Sequence, residues 1–561
     1  MTGFLWLMVP LAPLLGLMLL VVLPAMRDRL MPWLWLVCLP ALWMVWATPE
    51  PLVLSWLWPG AEWGLGQLGS DTVGRAFLGF TALLWAAASV FSWVSQREHP
   101  LRMRYWIFWL LTLSGNLLLI IAQDGVSYYV GFTLMSLSAY GLIVHNGGPA
   151  PRHAGRVYLQ LAILGEMLIY AGLLMRIFEA NGLLNLADWL PAPTNTLTAA
   201  LLIVGFGLKA GFWPLHVWLP LAHPAAPAAA SAVLSGAMIK AGVLGLWRFL
   251  PEADPWIQQI APTLVGVGLA SAFFGVVIGL YQVKTKSALA YSSVSQVGYL
   301  LVIMALAWMH PEQRTLWGGV LALYAVHHGL AKGALFMGAG VAMHQRFNRW
   351  YWVLMALPAL ALVGFPLTSG GAAKTALKAA FDDTAIASWL VLLTAGSFGT
   401  ALLLARVIWL TQQMQPSAAS DPQNESGTHP AMLGSWALVC VMPIALPWLW
   451  PELRSAMIYS LSMYASWALL WPLLVAAALA FAALKFGWRT PEVLLRLRSP
   501  APLVAFQIKR LLSPRRGQST ASQRVWSPRA LERRWNRFWQ KGTVAMTAWV
   551  LMVLLLLGWA W

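Results

Sequence analysis

This sequence has very little charge and almost no cysteine. Asp, Glu, Lys and Arg make up 10% of its 561 residues, whereas a soluble domain carries about 25%. Because 60% of the residues are hydrophobic, the composition excludes a set of soluble domains and indicates a polytopic membrane protein. The two cysteines, Cys38 and Cys440, lie far apart in apolar segments, and two thiols cannot ligate an iron–sulfur cluster by themselves.

Sequence motifs for redox cofactors and for catalysis are also missing. The sequence has no haem-attachment motif, dinucleotide fingerprint, phosphate loop, catalytic triad or metal cluster. We therefore expect no catalysis, no cofactor and no metal in this chain, so that any enzymatic label would come from the complex that contains it. The first apolar segment has no basic n-region and no small-residue cleavage site, and we expect it to be retained as a helix.

Apolar runs of about 20 residues, each long enough to cross a bilayer, recur along the whole chain. They predict an all-α fold of about sixteen transmembrane helices, at residues 4–24, 31–48, 73–96, 105–122, 126–145, 155–177, 195–214, 228–249, 258–281, 287–308, 314–343, 350–370, 384–412, 432–450, 461–485 and 543–561.

The charges of the connections alternate along the chain. Connections from an odd to an even span hold the basic residues Arg27, Arg29, Arg97, Arg102, Arg104, Arg152, Lys284, Lys286, Arg346 and Arg349. Connections from an even to an odd span hold mostly acids, namely Glu50, Glu62, Asp124, Glu179, Asp188, Glu252, Asp254, Asp382 and Asp383. The positive-inside rule then predicts a multi-pass protein of the plasma membrane with both termini outside. The connection 413–430 fits poorly, because its only charges are acidic.

A basic segment precedes the last span. Residues 485–541 contain 14 Lys or Arg and two Glu, so +12 of the net charge of +17 lies there. We predict that this segment is cytoplasmic and lies laterally along the membrane, with Leu494–Leu512 as an amphipathic helix. A disordered linker is the alternative for Ser513–Ser527, and nucleic-acid binding is a weaker one between two spans. Residues 542–561 form a terminal anchor.

The stretch Gly205–Lys240 combines membrane helix with groups that a membrane helix avoids. It contains Lys209, Lys240, two histidines including His216, and four prolines. The prolines prevent one continuous helix, and a broken helix at membrane depth needs protein or a wet cavity around its backbone. Apolar walls, a break and buried ionisable groups indicate an ion path. The alternative is a Pro-rich loop with lysines that snorkel to the interface.

Other predicted spans also contain ionisable residues. Glu166 lies in the middle of span six, and Arg406 lies in span thirteen. In span eleven, His328 and Lys332 are four residues apart and share a helix face, with His327 beside them. Lys374 follows Pro366, Gly370 and Gly371 and has Lys378 four residues on, which suggests a second broken helix.

Lysine, histidine and carboxylate groups in this arrangement indicate a proton relay. Burial disfavours the charged form of a lysine, and a nearby carboxylate favours it again. Movement of the carboxylate, or of a proton on it, therefore switches the lysine between holding its proton and releasing it. Histidine can pass protons between such stations. The alternative is that some of these groups are paired core residues that orient helices. We favour that alternative for Arg406 alone, and the relay for the set.

Four of these motifs resemble a known family. Lys209–Gly242, Lys286–Leu301 (KSALAYSSVSQVGYLL), His327–Gly340 (HHGLAKGALFMGAG) and Gly364–Lys374 (GFPLTSGGAAK) are similar to the antiporter-like membrane subunits of respiratory complex I. The sequence looks most like the B-type subunit of hydrogenase-4 and formate hydrogenlyase complexes, and next like the D-type subunit of Mrp antiporters. The resemblance covers about residues 65–410.

The resemblance implies two inverted five-helix repeats, each with a discontinuous helix, at residues 105–249 and 250–412. Residues 1–104 and 413–485 would add N-terminal and C-terminal helices, and 486–541 a lateral segment. It also implies roles: Lys209 as the central lysine of the first half-channel, Lys240 as the bridge, His328 and Lys332 as the central pair of the second half, and Lys374 near the exit.

One position departs from the family pattern. Members usually carry a glutamate in span five that pairs with the first-half lysine, whereas here the matching run GFTLMSL has Thr133 at that position. Threonine cannot supply a counter-charge. Either Glu166 in span six substitutes for the missing carboxylate, or the first half has lost its pumping function.

These features predict a proton-translocating subunit of a multi-subunit membrane complex of the complex I or hydrogenase type, coupled to redox chemistry or to a partner subunit. Its partners would be other membrane subunits and the lipid bilayer. The alternatives are a subunit of a cation/proton antiporter, a membrane partner for inorganic-carbon uptake, and a non-conducting structural subunit.

The topology is testable by cysteine labelling. The test uses a chain that lacks Cys38 and Cys440 and carries a single new cysteine within 485–541. We expect this cysteine to react with a membrane-impermeant thiol reagent only after the cells are broken open and the reagent can reach the cytoplasmic side, because the basic segment follows the positive-inside rule. Labelling from the outer side of intact cells would refute the topology.

Overall fold

The chain folds almost entirely as α-helix. The computed structural model describes residues 2–47, 51–53, 66–251, 254–382, 389–416 and 429–486. The predicted basic lateral segment, the terminal anchor and most of the 413–430 connection lie outside these residues. The one β element described is a two-residue pair, β1 (Leu52–Val53) and β2 (Gln67–Leu68), which is antiparallel.

Twenty-one α-helices follow one another in the described residues. The N-terminal group is α1 (Leu5–Val22), α2 (Arg27–Leu30), α3 (Leu39–Ala47) and α4 (Thr72–Ser95). The next group is α5 (Arg102–Ile121), α6 (Gly125–Ile143), α7 (Pro149–Glu179), α8 (Leu186–Trp189), α9 (Thr196–Ala210), α10 (Leu219–Ala225), α11 (Ala228–Val233) and α12 (Lys240–Phe249).

The remaining helices are α13 (Pro255–Leu280), α14 (Thr285–Met309), α15 (Arg314–His344), α16 (Arg349–Val363), α17 (Ser369–Asp382), α18 (Leu390–Met414), α19 (Pro430–Leu449), α20 (Pro451–Ser460) and α21 (Met463–Lys485). A π-helix, Leu234–Met238, joins α11 to α12. Short 3₁₀ turns lie at Thr2–Phe4, Pro24–Met26, Met31–Cys38 and Pro311–Gln313.

Thirteen of the described helical segments are long and apolar enough to cross a membrane. Two shorter apolar helices, α9 and α16, correspond to the predicted spans 195–214 and 350–370. The prediction of a polytopic helical membrane protein is therefore confirmed. The predicted span 350–370 is wrong in its C-terminal part, since the helix ends at Val363.

Two helices are broken where the sequence predicts it. Helix α9 ends at Ala210 and α16 at Val363, and the next residue in each case, Gly211 (φ 77°) or Gly364 (φ 88°), lies in the left-handed region that favours glycine. After each glycine the chain is irregular until α10 and α17 begin. At Gly364 a side chain would also collide with Lys374, because an added Cβ would lie 2.6 Å from its Cδ.

The connections sort to two ends of the helix bundle. We call one end the acidic end. There the backbone N–H of Gln67 donates to Asp124, and the backbone N–H of Thr194 donates to Asp254. The side chain of Arg314 donates to the carbonyl of Trp247 at the same end. At the opposite, basic end, Arg104 donates to the carbonyl of His145, Lys286 to that of Ala226, and Arg406 to that of Gln282. Even-to-odd connections thus meet at the acidic end and odd-to-even connections at the basic end.

Arg248 fastens the acidic end of the bundle. Its side chain is 3% exposed and pairs with Asp71 at 2.9 Å, and it also donates to the carbonyls of Ile120 and Ala122 at 2.8 and 3.0 Å. Burial by itself would raise the pKa of the Asp71 carboxyl, but the Arg248 guanidinium and the backbone N–H of Gly74 bring it below the usual range. The carboxyl is therefore ionised at neutral pH, and the contact is an ion pair that joins three segments.

We expect Arg248→Met to destabilise the protein by about 1–3 kcal/mol, because it leaves buried carbonyls without a donor. The measurement is unfolding of the purified chain in detergent. The matched control is Arg102→Met, since Arg102 pairs with Asp28 at a site where the two side chains are 37% and 70% exposed. That change should cost less than about 1 kcal/mol. Equal effects of the two changes would show that Arg248 is not a fastening residue.

Candidate functional site

The lysines predicted to form the ion path are all inside the protein. Lys209 is 5% exposed, Lys240 1%, Lys332 0% and Lys374 4%. None of them points into lipid. Each ammonium group donates to neutral oxygen atoms. The lysines and the groups around them form two clusters, the first around Lys209 and the second around Lys240, Lys332 and Lys374.

The first cluster lies between α6, α7 and α9. The Lys209 ammonium donates to the Ser136 hydroxyl at 3.1 Å and to the Tyr158 hydroxyl at 3.2 Å. Tyr158 in turn donates to the Ser136 carbonyl at 2.7 Å. The rings of Phe132 and Tyr158 each lie 5.5 Å from the ammonium, which adds cation–π attraction.

Glu166 belongs to this cluster. It is 5% exposed on α7 and interacts electrostatically with Lys209 and with the Ser136 hydroxyl. Its Oε1 atom has no hydrogen-bond partner. The structure therefore brings Glu166 into electrostatic interaction with Lys209, and its predicted part in the relay stays a prediction.

Thr133 lies one helical turn before Ser136 on α6. Ser136, and not the residue at the usual glutamate position, supplies the contact from α6 to Lys209. A cavity of about 10 Å³, lined by Ser136, Tyr158, Gly165 and Lys209 among others, adjoins the contact. This is about the room that one water needs.

The second cluster begins where the π-helix meets α12. The Lys240 ammonium donates to the Ser235 carbonyl at 2.6 Å. Ser235 lies within the π-helix Leu234–Met238, whose wider turn displaces carbonyls from the regular α-helical pattern. The Ser235 hydroxyl is 2.7 Å from that of Ser293 on α14, so polar groups continue from α12 towards α14.

Lys332 and His328 occupy the centre of the second cluster. The Lys332 ammonium donates to the Leu289 carbonyl at 2.6 Å. His328 is 0% exposed, and neither of its ring nitrogens has a hydrogen-bond partner among the residues that the structure describes. Lys240 interacts electrostatically with both His328 and Lys332, so the predicted bridge and the predicted central pair lie within reach of one another.

His327 connects this centre to the second broken helix. Its Nδ1 atom is 3.1 Å from the hydroxyl of Ser369, the first residue of α17. It interacts electrostatically with both Lys240 and Lys374. Lys374 donates to the Val363 carbonyl at 2.7 Å, and Val363 is the last residue of α16. The carbonyl left free by the end of one helix thus holds the lysine of the next.

His216 lies in the break after α9 and is 3% exposed. Its Nδ1 atom has no partner, and its ring lies 4.9 Å from that of Phe274 and 6.1 Å from that of Tyr291. The observed contacts place it among aromatic rings, and its predicted part in the relay stays a prediction.

Several polar groups of the site were not predicted from the sequence. Ser136 and Tyr158 carry no signal in a single sequence, because serine and tyrosine are common in membrane helices. Lys286, interpreted as a loop charge, lies in α14 and binds the Ala226 carbonyl at 2.8 Å. His223 is 0% exposed, with both ring nitrogens free, and interacts with Lys286, Lys332 and Lys240. Its position inside the Pro-rich stretch is the signal that could have identified it.

No carboxylate of the described part of the chain forms an ion pair with Lys240, Lys332 or Lys374. Like charges close together in a low-dielectric interior repel one another. A proton that arrives at one of these groups therefore favours the departure of a proton from its neighbour. A row of groups with this property is suited to proton transfer.

Comparison with known proteins adds the family context. A sequence family described as "NADH:quinone oxidoreductase/Mrp antiporter, TM" matches residues 122–403, just over half of the chain. Hydrogenase-4 component B of Escherichia coli (strain K12) is 32% identical over 303 residues, which are 51% of this chain and 45% of that protein. NADH-quinone oxidoreductase subunit N of Desulforudis audaxviator is 28% identical over 400 residues, 65% of this chain and 76% of that one.

A solved structure shares the fold. The match to a chain of the Mrp complex from Dietzia sp. DQ12-45-1b has a TM-score of 0.68 at 20% identity, and it covers 84% of this chain and 99% of that one. The aligned region spans less than half the length of hydrogenase-4 component B. The matched residues 122–403 include every side chain described above as part of the two clusters.

Proposed function

Since this chain belongs to the membrane-subunit family of NADH:quinone oxidoreductases and Mrp antiporters, we propose that it is a proton-translocating subunit of a multi-subunit membrane complex. Protons would move through the buried lysine, histidine and glutamate groups, driven by redox chemistry or by a partner subunit. The chemistry of the complex would reside in the other subunits, and this chain would supply the path.

The row of buried basic groups is the observation that carries the proposal. Lys240, Lys332 and Lys374 are each at most 4% exposed and are held by backbone carbonyls. A buried ammonium held only by neutral acceptors is costly, and such groups in membrane proteins serve function far more often than stability. Their mutual electrostatic interactions, through His327 and His328, supply the coupling that a relay needs.

In the first half, Glu166 would replace the missing glutamate of span five. An equilibrium between a charged and a neutral lysine shifts only if something interacts differently with the two states. Glu166 meets this condition for Lys209, because its carboxylate interacts with the ammonium and has a free oxygen. The hydroxyl groups of Ser136 and Tyr158 would hold the Lys209 ammonium in place near Glu166.

The finer architecture belongs to the same proposal. We assign two repeats, 105–249 and 250–412, to the two halves of the path, and sixteen spans to the whole chain. The broken helices support the repeats, since α9 and α16 are each 15 residues long and each ends at a left-handed glycine. The charge difference between the two ends supports a plasma-membrane protein with its basic end in the cytoplasm and both termini outside.

The substitute role of Glu166 is testable by paired mutations. We expect Glu166→Gln and Lys209→Ala to lower proton transport by about the same factor, at least about tenfold, because each removes one partner of a single switch and a tenfold loss needs only about 1.4 kcal/mol at the barrier. The measurement is dye-detected acidification of inverted vesicles that contain the tagged chain in its complex.

The control for this pair is Glu179→Gln. Glu179 lies at the end of the same helix as Glu166, and its carboxylate contacts Thr194, Thr198 and Arg176. Co-purification of partners with each variant confirms assembly. Normal transport by Glu166→Gln together with a defect in Lys209→Ala would refute the substitute switch. Normal transport by both would show that the first half does not conduct.

The second half gives an independent test. We expect Lys332→Ala to abolish transport, because Lys332 is fully buried at the centre of the cluster, and Lys332→Arg not to restore it, because an arginine does not release its proton. Lys284→Ala is the control, since Lys284 is exposed at the basic end. Transport by Lys332→Ala at the rate of the control would contradict the proposal for the second half.

A structural subunit with a silent first half is the second candidate function. Thr133 favours it, because the residue that usually switches the first-half lysine is neutral here. The Glu166 and Lys332 variants separate the candidates. A protein that loses transport only through Lys332 conducts through its second half alone, and one that loses transport through neither is structural.

A further inference from the structure

A groove at the acidic end lies apart from both clusters. It has a volume of about 510 Å³, within the range of small-molecule sites, and its wall includes Trp46, Arg75, Leu316, Gly319, Ala376 and Trp450. These residues come from α3, α4, α15 and α17 and from the residue after α19. We propose that this Arg75 groove binds one anionic phospholipid, with the phosphate on Arg75 and an acyl chain along the apolar wall.

Arg75 provides the charge that a phosphate requires. It is half-buried, and no carboxylate in the described residues pairs with it. The nearest acid in sequence on its helix face, Asp71, is already bound to Arg248. A guanidinium presents paired N–H donors that match two phosphate oxygens.

The depth of Arg75 matches the headgroup layer of a bilayer. It is the fourth residue of α4, about 5 Å along the helix from its start at the acidic end. Trp46 and Trp450 stand beside the groove with ring centroids 5.9 Å apart, and tryptophans concentrate at this level of membrane proteins. The wall beside the cation includes the aliphatic side chains of Leu316 and Ala376.

The groove is open space, and it faces outwards. Trp46 is 67% exposed and Leu316 is 51% exposed. A Cβ atom added at Gly319 would meet nothing within 4 Å. A cation at the headgroup level that has no carboxylate partner among the described residues, beside an open apolar wall, fits an amphiphile with an anionic head better than a free anion or an uncharged lipid.

The test uses a photoactivatable phosphatidylglycerol with a diazirine on one acyl chain. The full chain is labelled in a maltoside detergent, which carries no phosphate, and crosslinked peptides are identified by mass spectrometry. We expect labelling of peptides that contain residues 72–76 and 315–323. A diacylglycerol with the same acyl chain should label them at least about tenfold less, because it lacks the charged hydrogen-bond partner of Arg75.

Two variants probe the two parts of the site. Arg75→Gln should reduce labelling of these peptides about tenfold through loss of the phosphate contact. Gly319→Phe should reduce it by filling the groove. The matched controls are Arg29→Gln, an exposed arginine at the basic end, and Gly434→Phe on α19, where an added Cβ also meets nothing within 4 Å. Both controls should label as the unchanged protein does.

Equal labelling by the two probes, or equal labelling of the groove and control variants, would overturn the proposal, since the lipid would then be unspecific. Full displacement of the lipid by inorganic phosphate would also overturn it and identify a free-anion site. If the lipid probe labelled a co-purified membrane subunit and not the peptides of the groove, the proposal would also be overturned, and the groove would be identified as a protein interface. The comparison of the two probes needs no variant, so it decides even if Arg75→Gln does not fold.

Discussion

The need to hold an ammonium group inside a membrane protein is the constraint on which the candidate site depends. Three lysines meet it with backbone carbonyls, those of Ser235, Leu289 and Val363. In a regular helix the carbonyl groups already accept hydrogen bonds within the helix. An interruption of the helix frees carbonyl groups, which can then accept from a buried ammonium. The π-turn before Lys240 and the end of α16 beside Lys374 supply two of the three acceptors. The breaks in the helices and the positions of the lysines therefore form one feature of the structure.

The two clusters hold their lysines with different chemistry. The second cluster uses carbonyls and histidines, and its lysines interact with each other without a carboxylate partner in the described residues. The first cluster uses two hydroxyl groups and Glu166 around a single lysine. Glu166 lies on the helix that follows the one carrying Thr133, and it interacts electrostatically with Lys209.

The two ends of the bundle differ in how they are fastened. At the acidic end, Asp71, Asp124 and Asp254 accept hydrogen bonds from backbone N–H groups or from Arg248. At the basic end, Arg104 and Lys286 donate to backbone carbonyls, as Arg248 and Arg314 also do at the acidic end. Charged side chains of the connections therefore tie these connections to one another at both ends. Arg75 also lies at the acidic end, and its charge has no such internal partner in the part of the chain described.

The sequence by itself determined the class of protein, the broken helices and the buried lysines. Composition, hydrophobic runs and prolines act locally or through the solvent, so they can be interpreted without knowing which segments meet. It also singled out Glu166, because a lone carboxylate in an apolar run is conspicuous. Only the tertiary structure brought Ser136 and Tyr158 to Lys209, His327 to Ser369, and Lys286 to the Ala226 carbonyl. Such contacts join residues far apart in the chain, and hydroxyls and carbonyls occur everywhere in it, so packing alone decides which of them become partners of a buried charge.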